Sequence, residues 1–243
     1  MRYLVLSDIH SNIEALEASL RRARDLGYDQ VLCCGDLVGY GPNPAEVIDT
    51  LEEIGTTSIR GNHDRVVSGL DDPIHFNAAA RKAVEWTREN LPQPYLERLM
   101  KLSIGPLEVT PAARLVHGSA RDEDEYVVTQ HDAVVNLALS SPSITFFGHT
   151  HEPGVFTRTV RWQPSYEPDG SARLHMPADR MLVNPGSVGQ PRDGDSRASF
   201  VIWDEEQALL EFYRAEYAVT TTQDRMRVAQ LPDFLITRLA FGR

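Results

Sequence analysis

The chain has 243 residues, of which 42% are apolar, so it can bury a full hydrophobic core, most simply as one domain over residues 1–243. Its formal net charge of −11 argues against a stable complex with nucleic acid, because binding that backbone needs a basic surface. No apolar stretch is long enough to span a bilayer, so we expect no membrane partner.

The start of the chain and its cysteines indicate a cytoplasmic protein. Met1 leads directly into the first predicted strand, which leaves no room for a signal peptide. Cys33 and Cys34 are neighbours and cannot form an ordinary structural bridge with each other. We expect them to be buried thiols in a reducing compartment.

The N-terminal quarter alternates short apolar runs with helical patterns. Two helical patterns, each ending at a glycine, separate apolar runs at residues 4–7, 31–34 and 57–60. Ser11 and Glu14 match the capping box of the first helix, and Asn43 is expected to cap the second. Such a β-α-β-α-β run predicts parallel strands that are joined by right-handed crossovers.

The next stretch is mostly helical. Residues 77–90 suit a packed helix, and Pro92 and Pro94 interrupt the pattern before a shorter helical segment. We predict a helical insertion over residues 65–110. Its two ends lie next to polar residues that follow apolar runs, so we expect the insertion to influence ligand choice.

The second half returns to an α/β pattern and then becomes rich in strands. We predict strands at residues 114–117, 156–162, 173–175, 180–183, 199–203 and 209–217. The turn residues Pro168, Asp169 and Gly170 predict a hairpin between the strands at 156–162 and 173–175. Residues 220–243 are predicted to form a helical tail.

Five apolar runs end in side chains that can bind metal ions. The central one is the run before Gly35 and Asp36, because a carboxylate at the tip of a buried strand is costly unless a positive group meets it. The other four runs lead to Asp8 and His10, to Asn62, to His117, and to His149 and His151. Ligands bind at the carboxyl ends of strands in open α/β sheets, so we expect these seven side chains to meet there.

The chemistry of these seven residues indicates two divalent metal ions. Carboxylate, imidazole and amide oxygen suit manganese, which we expect first, and also iron, zinc, nickel, cobalt or magnesium. Two ions need a shared carboxylate that holds them ~3.5–4 Å apart, and Asp36 is the natural bridge. A single buried histidine is more often an ordinary core residue, but seven such residues at five strand ends are hard to explain as turns.

The order of five sequence blocks resembles the calcineurin-like metallophosphoesterase signature, in its compact bacterial phosphodiesterase-like branch. The blocks are Asp8-x-His10, Gly35-Asp36, Gly61-Asn62-His63-Asp64, His117-Gly118 and Gly148-His149-Thr150-His151. The resemblance implies an α/β fold of two packed mixed β-sheets flanked by helices. It implies one metal site made of Asp8, His10, Asp36 and His151, and a second made of Asp36, Asn62, His117 and His149.

The resemblance also implies a catalytic role for His63. The matching histidine of the family faces the substrate phosphate and can protonate the leaving oxygen, and Asp64 would orient its ring. The alternative is that Asn62, His63 and Asp64 form a polar turn with His63 in solvent.

Three further residues are weaker candidates for substrate binding. Tyr40 and Asn43 follow Asp36 on one loop, although Tyr40 could equally be a packing residue. Arg192 could hold a phosphate beside the site, although most loop arginines are solvated. His75 and Asn77 open the insertion and could reach over the metal ions.

The resemblance implies a metal-dependent phosphoesterase that acts through a hydroxide bridging the two ions. The expected substrate is small and phosphorylated, such as a phosphodiester or a nucleotide of the dinucleoside polyphosphate kind. The alternatives are a phosphomonoesterase or protein phosphatase, and a non-catalytic metal-binding scaffold of the same fold. The physiological substrate cannot be read from the sequence, because one metal core serves monoesters, diesters and anhydrides alike. The sequence does not decide whether the chain forms a homo-oligomer.

Overall fold

A computed structural model describes residues 1–140, 142–176 and 179–243 of the chain. Within these residues the strands are β1 (Arg2–Leu6), β2 (Gln30–Cys33), β3 (Thr57–Ser58), β4 (Leu107–Thr110), β5 (Ala113–Leu115), β6 (Ile144–Phe146), β7 (Gly154–Phe156), β8 (Arg161–Trp162), β9 (Ser171–His175), β10 (Met181–Asn184), β11 (Ala198–Asp204) and β12 (Leu209–Ala215). They form one six-stranded sheet in the order β3-β2-β1-β11-β12-β9 and a second in the order β4-β5-β6-β10-β7-β8.

The helices of the described residues lie around these two sheets. They are α1 (Ile13–Leu26), α2 (Pro44–Glu53), α3 (Asn62–Val67), α4 (Ala78–Asn90), α5 (Gln93–Met100), α6 (Gln130–Ala138), α7 (Val219–Val228) and α8 (Asp233–Arg238), with short 3₁₀ helices at Pro73–His75 and Leu239–Phe241. None of the helices in the described ranges combines the length and the apolar character needed to cross a membrane. The predicted α/β fold of two packed mixed sheets flanked by helices is confirmed.

Successive side chains of strand β1 point to opposite faces of the sheet, and each face packs into a different hydrophobic core. Leu4 and Leu6 face the helical layer that contains α1 and α2, whereas Tyr3 and Val5 face the second sheet. Both faces are therefore buried, which explains why the strand reads as a continuous apolar run. Strands β1, β2 and β3 are parallel, as predicted, and β11 pairs with β1 in the antiparallel sense.

The second sheet repeats this parallel arrangement in its centre. Strands β5, β6 and β10 are parallel, with Phe146 of β6 opposite Leu115 on one side and Val183 on the other. The loops that follow β1, β2, β5 and β6 carry six of the seven predicted metal ligands, whose ligand atoms lie together, and the seventh, Asn62, follows β3. The carboxyl ends of strands from both sheets therefore build one shared site.

The core between the sheets should contribute much of the stability. Phe212 of β12 is fully buried there, and its ring lies 5.2 Å from that of Trp162 on the opposite sheet. Phe212→Ala should lower the free energy of unfolding by ~3–5 kcal/mol in a urea titration, because it leaves a cavity that the sheets cannot close. Val228→Ala is the control, since that side chain is 86% exposed and its change should stay within ~0.5 kcal/mol. A loss below ~1 kcal/mol for Phe212→Ala would contradict this account.

The helix caps differ from the prediction at one position. Helix α1 is capped by Asn12, whose side-chain oxygen accepts a hydrogen bond from the Ala15 backbone N at 3.1 Å. The predicted capping box with Ser11 is wrong, because Ser11 has a φ of +54° and lies outside the helix. Asn43 precedes α2 as predicted, without a side-chain cap bond.

The predicted hairpin across residues 168–170 is also wrong. A turn is present, and the Gly170 backbone N donates to the Glu167 carbonyl at 2.8 Å. The flanking strands belong to different sheets, however, since β8 pairs with β7 and β9 pairs with β12. The predicted strand at 156–162 is itself two short strands, β7 and β8, that pair with each other.

The insertion and the C-terminal tail pack against each other. The predicted insertion contains the end of α3, the 3₁₀ helix Pro73–His75, α4 and α5, and it ends in β4, which belongs to the second sheet. The tail forms α7, α8 and a 3₁₀ helix, in agreement with the predicted helical tail. Ala80 and Ala83 of α4 share a hydrophobic cluster with Leu235, Leu239 and Tyr40. Insertion and tail therefore cover the same side of the site.

Candidate metal centre

The seven predicted metal ligands are buried and close together. The ligand atoms of Asp8, His10 and His151 lie within 4.8 Å of one another, and so do those of Asp36, His117 and His149. Asn62 adds its side-chain oxygen, which lies 3.1 Å from Nε2 of His117. The residues are Asp8, His10, Asp36, Asn62, His117, His149 and His151, and none is more than 6% exposed.

Asp36 lies between the two groups. Its Oδ2 atom is 3.6 Å from Nε2 of His10 in one group and 3.4 Å from Nε2 of His117 in the other. Its Oδ1 atom accepts a hydrogen bond from the His63 backbone N at 2.9 Å, which fixes the carboxylate plane. The position is the one that a bridging carboxylate needs, and the bridging role itself stays a prediction.

Backbone carbonyls fix the tautomers of three histidines. Nδ1 of His10 donates to the Val38 carbonyl at 3.1 Å, and Nδ1 of His117 donates to the Cys34 carbonyl at 2.8 Å. Nδ1 of His151 donates to the Gln190 carbonyl at 2.6 Å. A carbonyl only accepts hydrogen bonds, so each Nδ1 carries a proton. The rings of His10 and His151 are neutral, so their Nε2 atoms present lone pairs to the centre, as in histidines that bind metals.

These lone pairs require a cation. Burial is the main cause that lowers the pKa of His10 and of His151 well below the usual value, so both rings are neutral. Their Nε2 atoms nevertheless lie 3.1 Å apart, and two lone pairs at that distance repel each other. Nε2 of His149 is buried and has no hydrogen-bond partner in the described part of the chain. A divalent cation between such atoms would satisfy all of them, so the residues fit the predicted ions.

The pKa values of the two carboxylates of the centre are shifted in opposite directions. Burial raises the pKa of Asp8 to about 6, although the charge of His117 opposes this. Burial also acts on Asp36, but the charge of His117 holds the pKa of Asp36 well below the usual range. Burial lowers the pKa of His117, yet Asp36 outweighs it and the value rises to about 10. A proton on His117 thus supplies the positive charge that Asp36 attracts.

The ligand loops have an unusual backbone conformation. Five of the seven predicted ligands have left-handed φ values, namely Asp8 (+51°), His10 (+49°), Asp36 (+55°), His149 (+64°) and His151 (+61°). Each such residue costs ~1–3 kcal/mol unless the surrounding structure holds it. Backbone hydrogen bonds provide that support, since the N atoms of Asp8 and His10 donate to the carbonyls of Gly35 and Asp36, both at 3.0 Å. The centre is therefore preorganised by its loops.

Gly61 leaves no room for a side chain next to Asp36. A Cβ atom at this position would lie 2.1 Å from Oδ1 of Asp36 and would push the carboxylate away. Gly61→Ala should therefore weaken metal affinity by about 10–100-fold, as changes that reorient ligands do. Gly69→Ala is the control for a change away from the centre: its φ of +84° adds backbone strain, but no atom lies within 4 Å of the added Cβ, so metal affinity should not change. Titration of the metal-free proteins with Mn²⁺ measures the effect, and equal affinities in the two variants would contradict it.

His63 lies beside the centre in an aromatic environment. Its ring centroid is 4.3 Å from that of Tyr40, 4.7 Å from Phe76 and 4.8 Å from His10. The residue is buried, which excludes the solvated polar turn. Burial lowers the pKa of His63 to about 4, and its Nδ1 has no hydrogen-bond partner among the described residues. His63 is thus a neutral imidazole with an unused ring nitrogen.

The predicted contact between Asp64 and the His63 ring is wrong. The Asp64 carboxylate accepts hydrogen bonds from the backbone N atoms of Gly61 at 2.9 Å and of Val38 at 3.1 Å. It thereby joins the start of α3 to the loop after Asp36. Asp64 positions His63 through the backbone, and aromatic packing orients the ring.

The three weaker candidates have different positions. Tyr40 is 8% exposed, and its ring lies 4.5 Å from that of His10 at the wall of the cleft. Arg192 also lines the cleft. Asn43 does not line it, since its side chain donates to Oε1 of Glu46 at 2.9 Å beside helix α2. The structure therefore brings Tyr40 and Arg192 to the site and leaves Asn43 outside it.

A cleft of about 440 Å³ opens over the metal centre. His75 and Asn77 line it, as the sequence suggested, although the Asn77 side chain also caps α4. The sequence reasoning missed Phe76, which packs on His63, and Tyr126, whose ring lies 3.9 Å from that of His149. Tyr126 follows four acidic residues at 122–125, and an aromatic residue between them and the next helix was the available signal.

The sequence matches one known family over most of its length. The profile of the calcineurin-like phosphoesterase superfamily domain matches residues 1–208. An uncharacterized protein of Methanocaldococcus jannaschii is 33% identical over an alignment of 250 residues, which covers 98% of this chain and 97% of that protein.

Two solved structures share the fold over the whole chain. A metallophosphoesterase from Sphaerobacter thermophilus is 37% identical with a TM-score of 0.88, and the match covers 100% of this chain and 99% of that one. A hypothetical protein from Pyrococcus horikoshii OT3 has a TM-score of 0.83 at 22% identity, with coverage of 100% and 98%. The second of these similarities concerns the fold alone.

Proposed function

The chain belongs to the calcineurin-like phosphoesterase superfamily, and from this membership we propose that it is a hydrolase that uses two divalent metal ions to cleave phosphoester or phosphoanhydride bonds. The observation that carries the proposal is the position of Asp36 between two groups of buried ligands. We further propose a phosphodiester or a nucleotide-type substrate, such as a dinucleoside polyphosphate, and manganese as the first metal to test.

The chain's own residues would hold the ions in two sets. One set is Asp8, His10, Asp36 and His151, and the other is Asp36, Asn62, His117 and His149. When bound, the ions would supply Lewis-acid stabilisation of the phosphoryl oxygens and a water of lowered pKa. The backbone N of His149 donates to both Asp8 oxygens, at 3.1 and 3.2 Å, so the Asp8 carboxylate keeps its orientation.

In this proposal His63 gives a proton to the leaving oxygen. It lines the cleft next to the centre, and its unused Nδ1 shows that the protein does not satisfy the ring fully by itself. Since its pKa is about 4 in the free protein, the ring needs a nearby anion to become protonated near neutral pH. The negative charge of a bound phosphate would provide it, so His63 would acquire its proton only in the complex.

A panel of phosphate esters with added Mn²⁺ tests the proposal. Bis(p-nitrophenyl) phosphate, p-nitrophenyl phosphate, a phosphopeptide and a nucleoside diphosphate represent the diester, monoester, protein and anhydride classes. Hydrolysis of at least one of them, together with close to two ions per chain by metal analysis, supports the proposal. Binding of metal without turnover on any of them would favour the scaffold alternative.

The insertion should determine substrate choice more than metal binding. Asp71, Asp72, His75, Phe76 and Asn77 line the cleft, and none of them is a predicted ligand. Replacing residues 71–75 with a glycine-serine linker of equal length should leave the metal content unchanged. The relative rates on the ester panel should change several-fold, because loops at strand ends control specificity. Unchanged relative rates in a folded, metal-loaded variant would show that this prediction is wrong.

We also propose that the protein acts in the cytoplasm on small phosphorylated molecules. Cys33 and Cys34 are free and buried, which suits a reducing compartment. The cleft over the centre has a volume of about 440 Å³, which suits a small molecule. A protein phosphatase would need to bring a phosphorylated side chain into this cleft, and the phosphopeptide in the panel tests that alternative.

A further inference from the structure

Tyr126 leaves a large aromatic surface open beside the metal centre. The residue lines the cleft and is 51% exposed, although its ring centroid lies only 3.9 Å from that of the predicted ligand His149. The two ring planes are inclined by 35°, so one face of the tyrosine covers the imidazole. Aromatic surface that stays exposed at the wall of a cleft is available for stacking with a flat group of a ligand.

The loop that carries Tyr126 is fixed on both sides of this residue. Before it, the Glu123 carboxylate accepts hydrogen bonds from Arg60 at 2.9 Å and from Arg65 at 2.7 Å. After it, Val127 is only 2% exposed and packs in a hydrophobic cluster. The ring is therefore held at the cleft by a preorganised loop, and a ligand that stacks on it has little chain entropy to remove.

The charges near Tyr126 disfavour a second phosphate at this wall of the cleft. Arg65 also lines the cleft, but three carboxylates hold it, namely Asp71 at 3.0 Å, Glu123 at 2.7 Å and Asp124 at 2.6 Å. Carboxylates therefore outnumber arginines along this wall, and an anionic group placed there would be repelled. The exposed ring suits an uncharged flat group.

We propose that Tyr126 is the stacking site for a nucleobase of the substrate, whose phosphate lies at the metal centre. This proposal rests on the proposed phosphoesterase function and narrows its substrate to phosphate esters that carry an aromatic base. A base is uncharged at neutral pH and has a π face, so both the ring and its acidic surroundings accept it. Because Tyr126 contacts a predicted ligand, the sugar of one nucleotide would separate the stacked base from the phosphate.

Inhibition by AMP and by ribose 5-phosphate tests the stacking site, because only AMP carries a base on its sugar. The inhibition constant of each compound is measured against bis(p-nitrophenyl) phosphate at a fixed excess of Mn²⁺. AMP should bind the unchanged protein about tenfold more tightly than ribose 5-phosphate, as expected for one stacked base. Tyr126→Leu should bring this ratio close to one. Tyr126→Phe should keep it, because the ring and not the hydroxyl makes the contact.

Phe234→Ala is the matched control. Phe234 is an aromatic side chain of α8 that is 63% exposed and lies outside the residues that line the cleft, so its removal should keep the ratio. An unchanged ratio in Tyr126→Leu would overturn the stacking site. Tighter inhibition by phosphocholine than by AMP would also overturn it, because the ring would then serve a cation.

Metal analysis of Tyr126→Leu separates stacking from mere shielding of His149. Leucine still covers the imidazole with apolar surface, so the metal content should stay the same while the ratio falls. A fall in metal content with an unchanged ratio would show that the ring only shields the ligand, and the stacking site would be wrong.

A failure of the phosphoesterase proposal would be visible separately. If no ester is hydrolysed, calorimetric titration of the manganese-loaded protein with AMP and with ribose 5-phosphate replaces the inhibition assay. A preference for AMP that is lost in Tyr126→Leu and kept in Tyr126→Phe would then support the stacking site alone. Equal affinities for the two compounds in the unchanged protein would overturn it.

Discussion

Asp36→Ala should remove both metal ions and lower turnover by about 10³-fold or more. The carboxylate lies between the two ligand groups, and its Oδ2 atom is 3.6 Å from His10 and 3.4 Å from His117. Its loss leaves each ion with one ligand fewer and removes the only group that both sites share in the proposed assignment. Two-metal catalysis contributes several kcal/mol of transition-state stabilisation, and each ~1.4 kcal/mol is a factor of ten in rate.

Metal analysis after dialysis against limiting Mn²⁺, together with turnover of the best ester of the panel, measures both effects. His10→Ala is the matched variant, because His10 belongs to one of the two ligand sets. It should lose one ion and keep most of the other. If Asp36→Ala retained both ions, the bridging assignment would be wrong.

His63→Ala should slow turnover by ~10²–10⁴-fold while leaving the metal content nearly intact. His63 is not in either proposed ligand set, and its ring packs on Tyr40 and Phe76 beside the centre. The loss should depend on the leaving group. An ester of p-nitrophenol departs readily without a proton and should be affected least, whereas an alkyl or nucleoside ester needs the proton and should be affected most.

The ratio of these losses distinguishes two roles of His63. Equal losses on both kinds of ester would mean that the imidazole binds the phosphate and does not donate a proton. A fall in metal content along with activity would move His63 into the coordination sphere, where its nearness to His10 and Asp36 makes it a geometric candidate. Phe76→Leu is a useful companion, since it removes one of the rings that orient His63 but keeps an apolar side chain there.

The sequence could predict that the ligands lie close together, because two simple rules apply to it. Fully buried parallel strands read as apolar runs, and the first polar residues after each run lie at the carboxyl edge of the sheet. Asp8, Asp36 and His117 illustrate this, since each follows such a run and all are buried at the centre. The two-sheet architecture itself came from the resemblance to the family, and pattern alone gave only the parallel unit of β1 to β3.

The features that the sequence did not predict correctly have a different origin. Residues 168–170 form a turn, but the partner of β9 is β12, and no local pattern specifies a pairing between strands so far apart in the chain. Asp64 accepts hydrogen bonds from backbone N–H groups. Every residue except proline has such a group, so the sequence does not show which of them Asp64 contacts. Left-handed φ values at Asp8 and His10 belong to the same class, because tertiary hydrogen bonds impose them.

The carbonyl partners of His10, His117 and His151 have a consequence for protein engineering. They belong to the main chain of Val38, Cys34 and Gln190, so replacing any of these side chains leaves the orienting atom in place. In many metal sites a side-chain carboxylate accepts the hydrogen bond of a ligand histidine, and exchanging that carboxylate alters metal affinity. That route is closed at these three rings. A redesign of the metal preference must therefore alter the ligands themselves or reshape the loops that carry them.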